Sequence, residues 1–264
     1  MDMKVSSTVA YERAHNPLLG EPDESRFVQR ATSALAPQPP NFKAIVALNR
    51  GSLGAEEVEI HPLTPRQVEV RRSEGALIVD VRTDLQFDDA HIPGAVCNPA
   101  IRAGFGTKLA WVADRDAPIV LVGRDDADAL RAAHLAAAVG ITTFAGYLAG
   151  GMTTWREEKR PTESIERIDV AELHDRIDDV QVLDVRERGE WDAGHIAGAV
   201  STPYHDIAAI PDGIDPTRPV AAICMSGQRA AVAASLLRRH GAAHPIHVAD
   251  GGVGTWERNG WPLD

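Results

Sequence analysis

The chain writes the same unit twice, and this repetition limits its fold more than any other feature. The stretch LIVDVRTDLQFDDAHIPGAVCNPA from Leu77 matches VLDVRERGEWDAGHIAGAVSTPY from Val182. Asp80-Val81-Arg82 answers Asp184-Val185-Arg186, and His91-Ile92-x-Gly94-Ala95-Val96 answers His195-Ile196-x-Gly198-Ala199-Val200. Further on, LAGGMTTW ending at Trp155 matches ADGGVGTW ending at Trp256. A period of this length means two similar folding units in series. We place them at residues 59–160 and 165–264, joined by the polar, proline-containing EEKRPTES, with residues 1–58 outside the repeat.

Within each unit, apolar runs of four to six residues alternate with longer helical patterns, which predicts an α/β fold: a mainly parallel sheet flanked by crossover helices. Thr64 before Pro65, and Asp169 before Val170, read as helix N-caps. ALIVDV and VQVLDV read as buried strands. Gly150-Gly151 and Gly251-Gly252 each precede a helix carrying a tryptophan, and we assign them an architectural role. In the segment outside the repeat, the pattern predicts a helix after Asp23, a break at Pro37 to Pro40 and a helix ending at Gly51.

Composition narrows the functional classes. The 264 residues are 44% hydrophobic and 25% charged, enough for two cores, and the formal net charge is -11. That charge repels nucleic acid and anionic membranes. We expect no membrane span and no signal peptide in MDMKVSSTVAYER, hence a cytoplasmic location. Cys97 and Cys224 are the only cysteines and fall in different repeats, so we expect no disulfide framework. The histidines lack HxH or HExxH spacing, so we expect no metal and no cofactor.

The two repeats differ in one place that carries chemistry. VAAIC ends an apolar strand at Cys224, and Met225-Ser226-Gly227-Gln228-Arg229 leads into a helix that Gly241 closes. A thiol at a helix N-terminus meets inward-facing backbone amides that favour an anion, here a thiolate or persulfide. Gly227 suits a loop that curls tightly around one sulfur. Arg229 is a cation where the helix dipole disfavours one, which reads as a clamp for an anionic substrate.

On these residues both repeats resemble rhodanese-like (sulfurtransferase) domains. The second carries the family's loop as Cys224-x-x-Gly227-x-Arg229, with DVRE at Asp184 to Glu187 and GHIAGA at Gly194 to Ala199. The resemblance implies that Cys224 takes a sulfane sulfur from thiosulfate or a small persulfide and passes it to cyanide or a thiol, with residues Met225, Ser226, Gly227, Gln228 and Arg229 binding the donor. In the first repeat the loop is Gly123-Arg124-Asp125-Asp126-Ala127-Asp128, with no nucleophile and an acid in place of the arginine. We expect that domain to be catalytically inactive, its three carboxylates repelling an anionic donor. Asp184 and Arg186 recur as Asp80 and Arg82, which argues for a structural ion pair. His91 and His195 recur likewise and are expected to fix a turn. Cys97 reads as a packed thiol.

The segment before the repeats resembles the C-terminal tail of metallo-β-lactamase-fold persulfide dioxygenases. The metal ligands of that family are absent, so we carry over neither iron nor dioxygenase chemistry. A remnant that packs on the first domain, or that mediates a homodimer, is the preferred reading. Two rival functions compete with sulfur transfer. A cysteine-dependent phosphatase or arsenate reductase needs one more residue between Cys and Arg than the four found here. A binding or regulatory scaffold fits the first domain but leaves the Cys, Gly and Arg set of the second without a purpose.

Overall fold

The computed structural model describes residues 6–32, 37–50, 58–102, 104–113 and 117–264. The chain divides into two compact units, residues 1–38 and 39–264. In the first, α1 (Val9–His15) is capped by the Thr8 hydroxyl, which accepts the Tyr11 amide at 3.1 Å. Helix α2 (Glu24–Thr32) starts where the sequence predicted, with the Asp23 carboxylate accepting the Arg26 amide at 2.9 Å. Neither helix has a buried residue.

The second unit begins with α3 (Phe42–Arg50); Gly51, its expected end, lies outside the described residues. The segment expected as one extension over 1–58 is therefore divided. Asn41 Nδ2 donates to the carbonyl of Val139 at 2.5 Å, and Ala44 and Leu48 of α3 lie against Gly140, so α3 is held by the first repeat.

The repeats fold alike. The first runs β1 (Pro62–Leu63), α4 (Pro65–Ser73), β2 (Leu77–Asp80), α5 (Asp84–Asp89), β3 (Val96–Cys97), α6 (Phe105–Val112), β4 (Ile119–Val122), α7 (Asp126–Ala137), β5 (Phe144–Leu148) and α8 (Gly151–Glu157). The second runs β6 (Glu166–Ile168), α9 (Val170–Asp175), β7 (Gln181–Asp184), α10 (Arg188–Asp192), β8 (Val200–Ser201), a 3-10 turn (Tyr204–Asp206), β9 (Val220–Ile223), α11 (Gln228–Arg239), β10 (Pro245–Val248) and α12 (Val253–Arg258). The sheets have the orders β1-β5-β4-β2-β3 and β6-β10-β9-β7-β8, and every strand pair is parallel. The fold is thus the α/β pair of parallel sheets that the alternation predicted.

Local chemistry explains several boundaries. Thr64 and Gln67 form a capping box at the start of α4, with Pro65 in its first turn. The Asp169 carboxylate accepts the Glu172 amide at 2.8 Å to open α9. Trp155 and Trp256, one turn beyond the glycine pairs, are buried and donate their indole N–H to the carbonyls of Pro161 and Pro262 at 2.9 and 3.0 Å.

The core departs from the two separate ones expected. Along β9, Ala221 and Ile223 belong to a cluster confined to the second repeat, whereas Val220, Ala222 and the adjoining Cys224 belong to a cluster that continues through the first repeat. The alternation is the two-residue period of a strand buried on both faces. The shared cluster exists because α11 is buried continuously from Ala230 to Leu237. Its small residues let it lie between its own sheet and β3, where the Cys97 amide donates to Ser235 Oγ at 3.0 Å. Burial through the middle of α11 makes it costly to erode: Leu237, fully buried, loses about 2–5 kcal/mol by transfer plus cavity on Leu237→Ala. Among the described residues no helix is long and apolar enough to cross a membrane.

Candidate active site

All six residues from Cys224 to Arg229 gather at the C-terminal end of β9, where the strand turns into α11. In a parallel sheet this is the end at which helix N-termini converge. Cys224 is 1% exposed, and its Sγ accepts the Gly227 amide at 3.1 Å. Gly227 is the N-cap of α11 with φ 85°, a left-handed conformation that glycine adopts without penalty, and no side chain caps the helix. The space around it is equally restrictive, since a Cβ there would approach Ala249 Cα to 3.1 Å. The amides of the first turn are therefore left to whatever sits on the sulfur.

The glycine pair after β10 is part of this construction. A Cβ on Gly252 would lie 2.0 Å from the Cys224 carbonyl oxygen, and the next amide, of Val253, donates to that oxygen at 2.9 Å. Gly252 is the floor on which the cysteine loop rests. Gly151 does the same for the first repeat, where a Cβ would come within 2.4 Å of the Gly123 carbonyl.

Arg229 does not stand open as the sequence suggested. Its guanidinium makes a two-pronged pair with Glu190 of α10, NH1 to Oε2 at 2.5 Å and NH2 to Oε1 at 2.8 Å. Arg229 holds the Glu190 carboxyl below its usual range against the opposing effect of burial. Burial works against the arginine's own charge, but Glu190 outweighs it and moves its pKa upward. The anion that excuses a cation in the first helical turn is thus already in the protein. Glu190 was missed by reading the sequence, yet a signal exists: the same position of the first repeat is Gln86, neutral where the arginine is also absent.

Asp184 and Arg186 form a buried pair at the end of β7, beside the Ile223 that precedes Cys224. Arg186 Nε and NH2 reach the Asp184 carboxylate at 2.9 and 2.7 Å, and NH2 also donates to the Gly194 carbonyl at 2.8 Å. Arg82 repeats this with Asp80 and Ala90. His91 and His195 close turns: their Nδ1 atoms contact the carbonyls of Phe87 and Trp191 at 2.8 and 3.2 Å, and their rings stack on those same residues.

The first repeat contributes to the site from outside. Lys108 of α6, 7% exposed, places Nζ 3.5 Å from Gln228 Oε1, and burial lowers its pKa. Tyr204, also buried, has its pKa pushed up to about 12 by burial and then by Glu187. A cavity of about 450 Å³ opens elsewhere between the repeats, by Trp111, Ile207 and Arg239, and includes no residue of the cysteine loop.

The matching loop of the first repeat is closed by different means than charge repulsion. Its carboxylates are engaged: Asp128 binds Arg124 and Arg131, Asp126 accepts the Gly150 amide at 2.7 Å, and Asp125 caps α7 by accepting the Asp128 amide at 2.8 Å. The helix mouth that stays uncapped in the second repeat is filled here by the chain's own carboxylate. Cys97 is fully buried at the end of β3, and burial, followed by the nearby Asp88, Asp80 and Asp84, raises its thiol pKa well above the usual value.

Compared with known protein families, the chain matches the Rhodanese-like domain twice, over residues 64–158 and 169–259. It is 34% identical over 76 residues to the uncharacterized protein YqhL of Bacillus subtilis (strain 168), spanning 29% of this chain and 60% of that protein. It is 30% identical over 102 residues to a protein named sulfurtransferase from Allochromatium vinosum, covering 38% of this chain and 94% of the relative. Among solved structures, a metallo-beta-lactamase from Staphylococcus aureus aligns at 24% identity with a TM-score of 0.44, over 54% of this chain and 38% of the other.

Proposed function

From the premise that the chain belongs to the rhodanese-like family, we propose that it is a sulfurtransferase with one working site, in the second repeat, and that Cys224 carries the sulfur. In the first half-reaction the Cys224 thiolate attacks the outer sulfur of the donor. The donor's sulfur–sulfur bond breaks and its electron pair leaves with the rest of the donor, as sulfite when the donor is thiosulfate. Cys224 is left as a persulfide. In the second half-reaction cyanide or a thiolate attacks the outer sulfur, and Cys224 departs as thiolate.

The observation that carries this reading is the uncapped start of α11, where Sγ of Cys224 accepts the Gly227 amide at 3.1 Å. Sulfur needs an anion-stabilising cradle in both of its states, thiolate and persulfide, and free backbone amides at a helix start supply one without a proton to lose. The loop residues Met225, Ser226, Gly227 and Gln228 wrap the transferred sulfur, and the Arg229–Glu190 pair presents a fixed guanidinium to the donor. Asp184 and Arg186 brace the adjoining strand end. The first repeat, without a nucleophile and with its helix mouth capped by Asp125, is inactive and serves as a wall of the second.

Intact-mass analysis after incubation with thiosulfate or glutathione persulfide tests this. One added sulfur atom is expected at Cys224 and none at Cys97, whose thiol is buried and held protonated. Equal labelling of both thiols, or sulfur transfer undiminished in Cys224→Ser, would overturn it.

A further inference from the structure

One buried contact crosses from the inactive repeat to the cysteine loop. His247 of β10 is 0% exposed; its Nδ1 lies 2.7 Å from Asp88 Oδ2, on α5 of the first repeat, and its Nε2 lies 2.9 Å from the carbonyl oxygen of Gly227. A carboxylate and a peptide carbonyl are both acceptors, so an imidazole that satisfies both must donate from both nitrogens. Arg167 fixes where the proton resides. Its NH1 donates to the same Asp88 Oδ2 at 3.2 Å, and to Asp84 at 3.0 Å, which favours an ionised Asp88. The ring is therefore an imidazolium between an anion and the helix's first carbonyl. Arg167 NH2 is paired in turn with Asp250 at 3.1 Å.

The contact is not inherited from the repeat. By strand register the position matching His247 is Tyr147, which pairs with Pro62 and Leu121 as His247 pairs with Arg167 and Ala222, and a phenol has one hydroxyl where the imidazole has two N–H donors. The position matching Asp88 is Asp192, which is exposed and pairs with Arg188 at 2.9 Å. The repeats differ in residue at the His247 end and only in surroundings at the aspartate end, and the contact forms because one repeat lies against the loop of the other.

We propose that Asp88 of the inactive repeat is a positioning residue for sulfur transfer, acting through His247 on Gly227. This rests on reading Cys224 as the sulfur carrier. The peptide on one side of Gly227 supplies the amide that Sγ accepts; the peptide on the other side is the one His247 holds. Fixing the carbonyl fixes the left-handed turn between them. A cation behind that carbonyl also polarises the peptide whose N–H belongs to the open helix mouth. Here is a physical use for a repeat that has no nucleophile of its own.

Two measurements test the proposal. In protein with 15N-labelled histidine, NMR at neutral pH should show both His247 ring nitrogens protonated in the unmodified chain, and only one in Asp88→Asn. Kinetically, Asp88→Asn and His247→Phe should each lower kcat for sulfur transfer by about tenfold, the worth of one well-placed hydrogen bond, with KM for the donor within about twofold. Iodoacetamide titration of Cys224 would establish that the folded, reactive fraction is unchanged, which a purely structural role for Asp88 would not allow. A single protonated ring nitrogen in the unmodified protein overturns the proposal even if a variant fails to fold, and so does Asp88→Asn with unaltered kcat. Cys224→Ser separates the two readings: retained transfer there refutes the site itself, whatever the state of His247.

Discussion

Placing a thiol in the first repeat's loop by Gly123→Cys, in a Cys224→Ser background, tests the proposal that this repeat lacks more than a nucleophile. A Cβ on Gly123 would lie 2.7 Å from the Asp125 carbonyl oxygen, 2.9 Å from the Ala129 amide nitrogen and 2.9 Å from Asp128 Cβ. Two of those three neighbours are backbone, so no rotamer change relieves the overlap; the loop itself must open. Opening it works against the Asp125 cap and the Asp128 pair with Arg124 and Arg131. Overpacking of this kind costs about 1–3 kcal/mol, and the backbone contacts place this case at about 3. At about 2–4 °C per kcal/mol for a unit of this size, the first thermal transition should fall by roughly 6–12 °C. The thiol would also meet a helix mouth that Asp125 already caps, with fewer free amides to hold a thiolate. Thiocyanate formation from thiosulfate and cyanide should stay at background. Grafting the whole loop Cys-Met-Ser-Gly-Gln-Arg onto residues 123–128 should do better yet recover only a fraction of the activity, because Gln86 and Tyr147 still stand where the second repeat has Glu190 and His247. Full activity from Gly123→Cys alone, with an unmoved transition, would refute both the steric account and the role of the capped helix mouth.

Three further outcomes follow from the pairing of Arg229. Glu190→Gln, by releasing the arginine's charge, should lower KM for thiosulfate and leave KM for an uncharged alkyl persulfide unchanged, while Arg229→Ala, which strands Glu190, should raise KM for thiosulfate more than for the uncharged donor; equal effects on the two donors would remove the clamp from the mechanism. Because Arg229 depresses the Glu190 pKa in the folded state, that stabilisation is complete above the ordinary carboxylate value of about 4.3 and is lost as pH falls through the lower, folded value. The stability gap between Glu190→Gln and the unmodified chain, about 1 kcal/mol for a partly exposed pair, should therefore be present at neutral pH and close in acid, as read by urea unfolding at each pH. Separately, Gly252→Ala drives a methyl into the Cys224 carbonyl and should abolish transfer, whereas exposed Gly189→Ala, with nothing within 4 Å of its Cβ, should leave activity intact; an active Gly252→Ala would show that the loop does not rest on that glycine.

The repeat, the parallel α/β sheets, the caps at Thr64 and Asp169 and the cysteine loop at a helix start were legible from residue order, because each depends on neighbours in the chain: strand period, capping side chains and a strand–turn–helix switch are local. Glu190 was half legible, since Gln86 marks its absence alongside the missing arginine, but only packing shows the two side chains meeting. What the linear order could not contain is the joining of the repeats. The single cluster that runs through both of them, the burial of α11 from Ala230 to Leu237, Lys108 beside Gln228 and the Asp88–His247–Gly227 contact all pair residues far apart in sequence and unequal between repeats. Internal symmetry suggests two copies doing the same thing; tertiary structure breaks it, because the faces that meet are different faces of the same fold, and a residue buried against a neighbour in one copy is exposed to water in the other.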